Sequence, residues 1–324
     1  MNKTTLAIVS IILIVVIVAA TFFVTQQPKN KNAAFPVRVV DDAGRVITLS
    51  SYANRIVSLA PSCTEILFSL GLQNQTVGTV SYEGYPQDLQ NWITASNVTI
   101  VGTYGQVNNE AITSLNPNLI LDTGGFENPT DQALEDLGMN VMILSPTSFT
   151  GVLTDIALVG NVTGRISEQK ALVANLTSEA VAIVDKTQGL SKPSVYIKYF
   201  FSSTGFGSYG GSSFVNSLIS MAGGVNVFAG FNEQFVTTSS EDIVAANPSV
   251  IIISNGAMSS LCGLTPQVIE QRPGWNVISA VQNNRIYLVD ENYITICGPD
   301  VIYGLEDLAQ IIHPEIFGNY TYTG

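Results

Sequence analysis

Two sets of aromatic residues stand where an expected strand gives way to a loop: Tyr82, Tyr85 and Tyr104 in the first half, and Phe200, Phe206, Tyr209 and Phe235 in the second. Strand-end loops line the crevice of open α/β sheets. Aromatic walls with few polar groups suit a large, flat, mostly apolar guest. The chemistry expected of these residues is reversible binding. Two acids, Glu110 and Glu241, recur in matching surroundings. Each follows a polar N-cap and opens a short helix, where a carboxylate suits the positive end of the helix dipole.

Residues able to do covalent work are sparse. His313 is the only histidine, and it sits in an Ile-His-Pro segment at an expected helix end, which assigns it to structure. Ser62 lacks a nucleophile elbow. Cys63, Cys262 and Cys297 form no Cys-x-x-Cys pair and no Cys/His cluster, so no metal site and no cofactor is expected. Their odd number forbids complete pairing; Cys262 and Cys297 could form one bridge, or all three could be buried thiols. Residues 205–210, Gly-Phe-Gly-Ser-Tyr-Gly, spell GxGxxG after a strand and before a helix, with Glu233 further on, as a dinucleotide site would require. The motif is weak alone, and its glycines fit a tight turn or a close backbone approach better. A nucleotide-dependent oxidoreductase is therefore a remote alternative.

The elements that must position these residues show an internal repeat. Asn108–Asp122, NNEAITSLNPNLILD, is matched by Ser239–Ile253, SSEDIVAANPSVIII, with Glu241 lying 131 residues after Glu110. In both, a polar cap precedes an acidic first turn. The helix then ends at Asn-Pro, because proline disfavours helix in the residue before it. A short apolar run follows, suited to a strand buried on both faces. Two such copies predict two similarly built α/β lobes, with a ligand held between them. Val37–Val40 and Val46–Leu49 read as a hairpin. Arg55–Leu59, Val77–Val80, Val195–Phe201, Ile251–Ile253 and Arg285–Val289 read as strands. Ser62 with Glu65 reads as a capping box for a helix Thr64–Leu70. Phe149–Gly189 has helical periodicity, interrupted near Gly164. Ser212–Ala222 and Val301–Ile312 are the remaining clear helices.

Composition narrows the class. A chain of 324 residues with 46% hydrophobic and 12% charged content is long enough for two real cores and is not a disordered protein. A net charge of −12 repels phosphate backbones, so nucleic acid is not an expected partner. Leu6–Val24 is an uncharged apolar run, longer than the core of a signal peptide and long enough for a transmembrane helix. No Cys lies near it to carry a lipid. The body is expected outside the cell membrane on a single-pass N-terminal anchor. Sequons at Asn74, Asn97, Asn161, Asn175 and Asn319 fit a glycosylated exterior. They also allow an adhesive surface glycoprotein, which would leave the two-lobe repeat unexplained.

Three segments occur in a recognisable order: RIVSLAPSCTEILFSLG, VGTVSYEGYP and VGTYGQVNNEAITSLNPNLIL. PTSFTGVLTDIALVGNVTGR follows in mid-chain, and NNRIYLVD with GPDVIYGLEDLAQIIHPE closes the body. Over about Phe35–Phe317 the chain resembles the substrate-binding proteins of ABC importers for cobalamin, iron–siderophore complexes and haem, which carry a single helical backbone between lobes. With the apolar run and the polar stretch after it, the chain then reads as an anchor or signal over 1–25 and a tether over 26–35, and the resemblance implies an N-terminal lobe over 36–147 and a long interlobe helix over 148–189. A C-terminal lobe over 190–318 and a tail over 319–324 follow. It implies that Glu110 and Glu241 each meet arginines of a membrane permease. It also places Tyr82, Tyr104 and Phe235 where cobalamin-binding members line the pocket. Arg38, Arg45 and Arg55 fall in structural segments of the first lobe, so the cleft arginines of anionic siderophore binders are missing. Tyr104 lies one residue from the position of a haem-ligating tyrosine. The expectation is a corrinoid ligand first, with an iron chelate or haem as the alternative.

Overall fold

The computed structural model describes residues 35–322 except 83, 87–88, 97, 125–128, 200–205 and 257–264. The expected anchor Leu6–Val24, most of the tether, Phe200, Cys262 and the sequon at Asn97 lie outside the described residues. No helix among the described residues is long and apolar enough to cross a membrane. The chain divides into two compact units. One holds the described residues up to Ser145 together with Thr150–Thr177; the other holds Pro146–Phe149 and the residues from Ser178 onward.

In the first unit, strands β1 (Val37–Val40) and β2 (Val46–Leu49) form the expected antiparallel hairpin. Its turn is held by Asp41, which accepts from the Arg45 amide and guanidinium. Arg45 also pairs with Glu135, so it is structural as expected. Strands β3 (Ile56–Ser58), β4 (Thr76–Ser81), β5 (Thr99–Thr103), β6 (Gln106–Val107), β7 (Leu119–Asp122) and β8 (Val141–Ile143) make one sheet in the order β6-β5-β4-β3-β7-β8. All neighbours are parallel except β5 and β6, which form a short antiparallel ribbon. Strands β3, β7 and β8 are buried at every position, as the unbroken apolar runs require.

The second unit begins with β9 (Ser194–Lys198). Next come β10 (Phe206–Tyr209), β11 (Val225–Asn226), β12 (Phe235–Thr238), β13 (Val250–Asn255) and β14 (Ile286–Asp290). Four of these form a fully parallel sheet in the order β11-β9-β13-β14, while β10 and β12 pair antiparallel. Its core is built around Trp275, Tyr196 and the isoleucines of β13.

The expected helical stretch Phe149–Gly189 is two helices, Phe149–Thr163 and Ile166–Thr187. The break falls at Gly164, at φ +76°, where any Cβ would crowd the ring of Tyr52. The chain crosses from the first unit to the second inside helix Ile166–Thr187.

The capping box at Ser62 is corrected. The helix is Pro61–Ser69 with Ala60 at its N-cap and no side-chain cap. Proline at the first helical position has no amide to satisfy and a backbone preset for helix, so it starts the helix two residues earlier than the box would. Glu65 is then free to meet Tyr85. His313 is buried, with Nδ1 3.0 Å from Glu315 and Nε2 3.3 Å from the Gly223 carbonyl, in keeping with a structural role.

Candidate functional site

The repeat seen in the sequence is a repeat of structure. Helices Asn109–Ser114 and Ser240–Ala246 are each capped by the side chain before them. Asn108 accepts from the Ala111 amide at 3.0 Å, and Ser239 accepts from the Asp242 amide at 3.1 Å. Ile112 and Ile243 anchor them, both fully buried. Each helix closes on an asparagine in the left-handed region, Asn116 at φ 47° and Asn247 at φ 43°, which turns the chain before proline into a central strand. Asparagine tolerates that conformation better than other side chains with a Cβ. Glu110 and Glu241 are both exposed on the first turns.

Each sheet has one place where strand order reverses: between β3 and β7 in the first unit, and between β9 and β13 in the second. In open parallel sheets a ligand settles beyond the carboxyl ends of the strands at such a point. Each unit has one such edge.

In the first unit the rings of Tyr82 and Tyr104 meet edge to face, centroids 6.1 Å apart. The Tyr104 hydroxyl lies 3.3 Å from the Thr123 hydroxyl, one residue past the end of β7. Both tyrosines are half-buried. Tyr85 points elsewhere: it is 4% exposed, and its hydroxyl donates to Glu65 at 2.6 Å, so it belongs to the packing of helix Pro61–Ser69. Cys63 is fully buried, and burial pushes its thiol well above the ordinary range. Two acids of this unit have raised carboxyls. Asp131 is pushed up to about 7 by burial, by the charge of Asp122 and by a hydrogen bond with it. Asp155 is pushed up to about 8 by burial and by Asp42, and neither of its oxygens has a hydrogen-bond partner.

In the second unit Tyr199, Tyr209 and Phe235 form one wall. Tyr199 stacks on Phe235 at 4.9 Å and 21°, and Tyr209 lies 4.9 Å from Tyr199 and 5.8 Å from Phe235. Tyr209 and Phe235 are cross-strand partners on β10 and β12, so their side chains share a face. Tyr209 is buried and backs the wall, while Phe235 is 54% exposed and fronts it. Tyr199 is one residue past β9, the same strand-end position that marked the other aromatics, but it was hidden in a run read as strand. Phe206 lies on the opposite face of the ribbon. It packs toward Trp275, centroids 5.7 Å apart, with Lys198 Nζ 4.9 Å and the Arg272 guanidinium 4.8 Å from its ring.

The GxGxxG reading is resolved differently from a dinucleotide loop. Gly205 is outside the described residues and Gly207 is inside β10. A Cβ at Gly210 or Gly211 would collide with the carbonyls of Glu233 and Ala229. These glycines serve backbone contact within the unit. Among the described residues no group of three or more His, Cys, Asp or Glu side chains is placed to hold a metal ion. Of the sequons, Asn74, Asn175 and Asn319 are exposed, while Asn161 is half-buried within helix Phe149–Thr163. Cys297 is half-buried.

Residues 56–293 match the protein family described as periplasmic binding protein. An uncharacterised ABC transporter substrate-binding lipoprotein of Bacillus subtilis is 30% identical over 89% of each chain. A cobalamin-binding protein of Halobacterium salinarum is 27% identical over 88% of this chain and 76% of its own. Among solved structures, a periplasmic solute-binding protein of Staphylococcus epidermidis, described as a possible iron binder, is 26% identical. It superposes with a TM-score of 0.69 over 81% of this chain and 100% of its own.

Proposed function

This chain belongs to the periplasmic binding protein family, and from that premise we propose that it captures a corrinoid and hands it to an ABC permease. It is a solute-binding component of the cobalamin, siderophore and haem type of importer, and not an enzyme. The observation that carries the corrinoid reading is an aromatic cluster in each unit. Tyr82 with Tyr104, and Tyr199 with Tyr209 and Phe235, offer broad apolar faces with few charges, which suits a large amide-fringed ring. The Halobacterium relative's description supports the same ligand. Glu110 and Glu241, one exposed carboxylate per unit in equivalent frames, are the groups that orient the protein on the permease; such charges set register and encounter rate more than affinity. The body is extracytoplasmic and held at the membrane, a reading supported by the lipoprotein description of the Bacillus relative, with the apolar run Leu6–Val24 as the anchor in place of a lipid.

Titration of the full chain with cobalamin, cobinamide, haem and a ferric hydroxamate, followed by tyrosine fluorescence and calorimetry, tests the ligand. The corrinoids are expected to bind tightest; a clear preference for haem or the hydroxamate removes the assignment. A second reading has its own observation. The buried Lys198 ammonium and the Arg272 guanidinium lie 4.9 and 4.8 Å from the Phe206 ring, positive charge of the kind an anionic iron chelate would need. Under that reading Arg272→Gln weakens ferric chelate binding, and under the corrinoid reading it leaves corrinoid affinity unchanged.

A further inference from the structure

Asp122 is the last residue of β7, at the point where strand order reverses in the first unit. It is buried, and its carboxylate is engaged twice. Oδ1 accepts from the Thr123 amide at 2.7 Å, and the side chain is hydrogen-bonded to Asp131, in the first turn of helix Pro129–Asp136. Thr123 carries the hydroxyl that lies 3.3 Å from the Tyr104 hydroxyl. A line of contacts therefore runs from Asp131 through Asp122 and Thr123 to the ring pair of Tyr104 and Tyr82.

An ionised carboxylate can only accept hydrogen bonds. Two carboxyl groups bond to each other only with a proton between them, so this pair holds one. Among the described residues no N–H or O–H meets the buried Oδ1 of Asp131 in its place. Arg45 is the least of the influences on Asp131, being bound to Asp41 and Glu135. Strands β3 and β8, on either side of β7, carry no titratable side chain. Helix Asn109–Ser114, packed against helix Pro129–Asp136, offers only the exposed Glu110. The Cys63 thiol is raised by burial and then by the charges of Asp122, Asp155 and Asp131, so it stays neutral. A first-turn acid that merely served the helix dipole would be lowered; Asp131 is raised, by burial first and by Asp122 next.

We propose that Asp131 is a positioning residue for the first unit's ligand edge: it shares one proton with Asp122, that proton fixes Thr123 and Tyr104, and the guest binds the protonated pair. The inference rests on the reading of Tyr82 and Tyr104 as ligand wall and adds a condition to it. When the proton leaves, two carboxylates in contact repel in a site where water screens them poorly. The Asp122 side chain is then driven from Asp131, and the Thr123 amide and hydroxyl lose the setting that holds Tyr104. Affinity is highest in acid and declines as pH rises through about 7, the folded value for Asp131.

The test is a calorimetric titration of the full chain with cyanocobalamin, which keeps one charge state from pH 6 to pH 8. At pH 8 only about a tenth of the pairs still hold the proton, so the wild-type Kd is expected to rise roughly tenfold from pH 6. Asp131→Asn, whose amide donates to Asp122 at every pH, is expected to keep its pH 6 affinity at pH 8. Should that variant melt early, Asp122→Asn serves: its amide oxygen can still accept from Thr123 while its NH2 donates to Asp131. A wild-type Kd equal at both pH values overturns the proposal, and so does a folded Asn variant whose affinity falls as steeply as wild type. A melting temperature that follows pH while Kd does not makes the pair structural only, and overturns it too. The ligand reading fails separately: if cyanocobalamin does not bind at pH 6 and a ferric hydroxamate does, the corrinoid assignment is lost and the same pH series with the hydroxamate decides the shared proton. A chain that binds neither guest at pH 6 overturns both.

Discussion

Tyr199 and Phe235 stack face to face at 4.9 Å although they lie 36 positions apart, one just past β9 and the other opening β12. The pair is a ready platform, with Tyr209 behind it. Removing either ring should weaken ligand binding by about 1 kcal/mol or more, roughly fivefold or above, since such pairs add about that much beyond area burial. Calorimetry of Tyr199→Ala and Phe235→Ala checks this; wild-type affinity in both would mean the ligand does not use this wall.

Asn116 and Asn247 share the left-handed conformation but not the same support. Asn247 Oδ1 also accepts from the Ser279 amide at 2.7 Å, while Asn116 donates only a longer bond to the Ser114 carbonyl. Alanine at either position should destabilise by about 1–2 kcal/mol through backbone strain, with Asn247 the worse. Asn116→Gly should be close to neutral. Thermal melts of the three variants decide it, and equal stability of alanine and glycine at 116 would contradict the strain argument.

Tyr85 and Glu65 test the division between wall and packing. Tyr85→Phe removes the donor of a buried hydrogen bond, a change worth about 1–3 kcal/mol of stability. Ligand affinity should not move. A lower melting temperature with an unchanged Kd supports that division; the reverse pattern would return Tyr85 to the ligand site.

Asp155 links stability to pH. Its folded value, about 8, is above its ordinary 3.8, so the folded state holds a proton that the unfolded state releases. Stability from this group is therefore present in acid and is lost as pH rises from about 4 toward 8. Asp155→Asn should flatten that decline in denaturant titrations between pH 5 and pH 8, to within about 1.4 kcal/mol per pH unit of slope for one group. A decline as steep in the variant as in wild type would assign it to other acids, with Asp131 the next candidate.

Much of this architecture was legible because it rests on local rules. Asn-Pro ends a helix whatever surrounds it, so both repeat units were readable, down to the buried Ile112 and Ile243. Val301–Ile312 forms the helix its apolar spacing demands. What escaped depends on contacts distant in sequence. The role of Tyr85 is set by Glu65, twenty residues earlier. Phe206 and Phe235 both begin strands of one ribbon, yet register sends them to opposite faces. Tyr199 and Phe235 become neighbours only when β9 is set beside the β10–β12 ribbon, and no local pattern carries that placement.

The most direct measurement of the central claim is corrinoid uptake by cells that carry the permease and the Glu110→Lys, Glu241→Lys double variant, alongside calorimetry of the same variant with the same ligand. Docking through these two carboxylates predicts that uptake falls to background while Kd stays at the wild-type value. Uptake at the wild-type rate would contradict it.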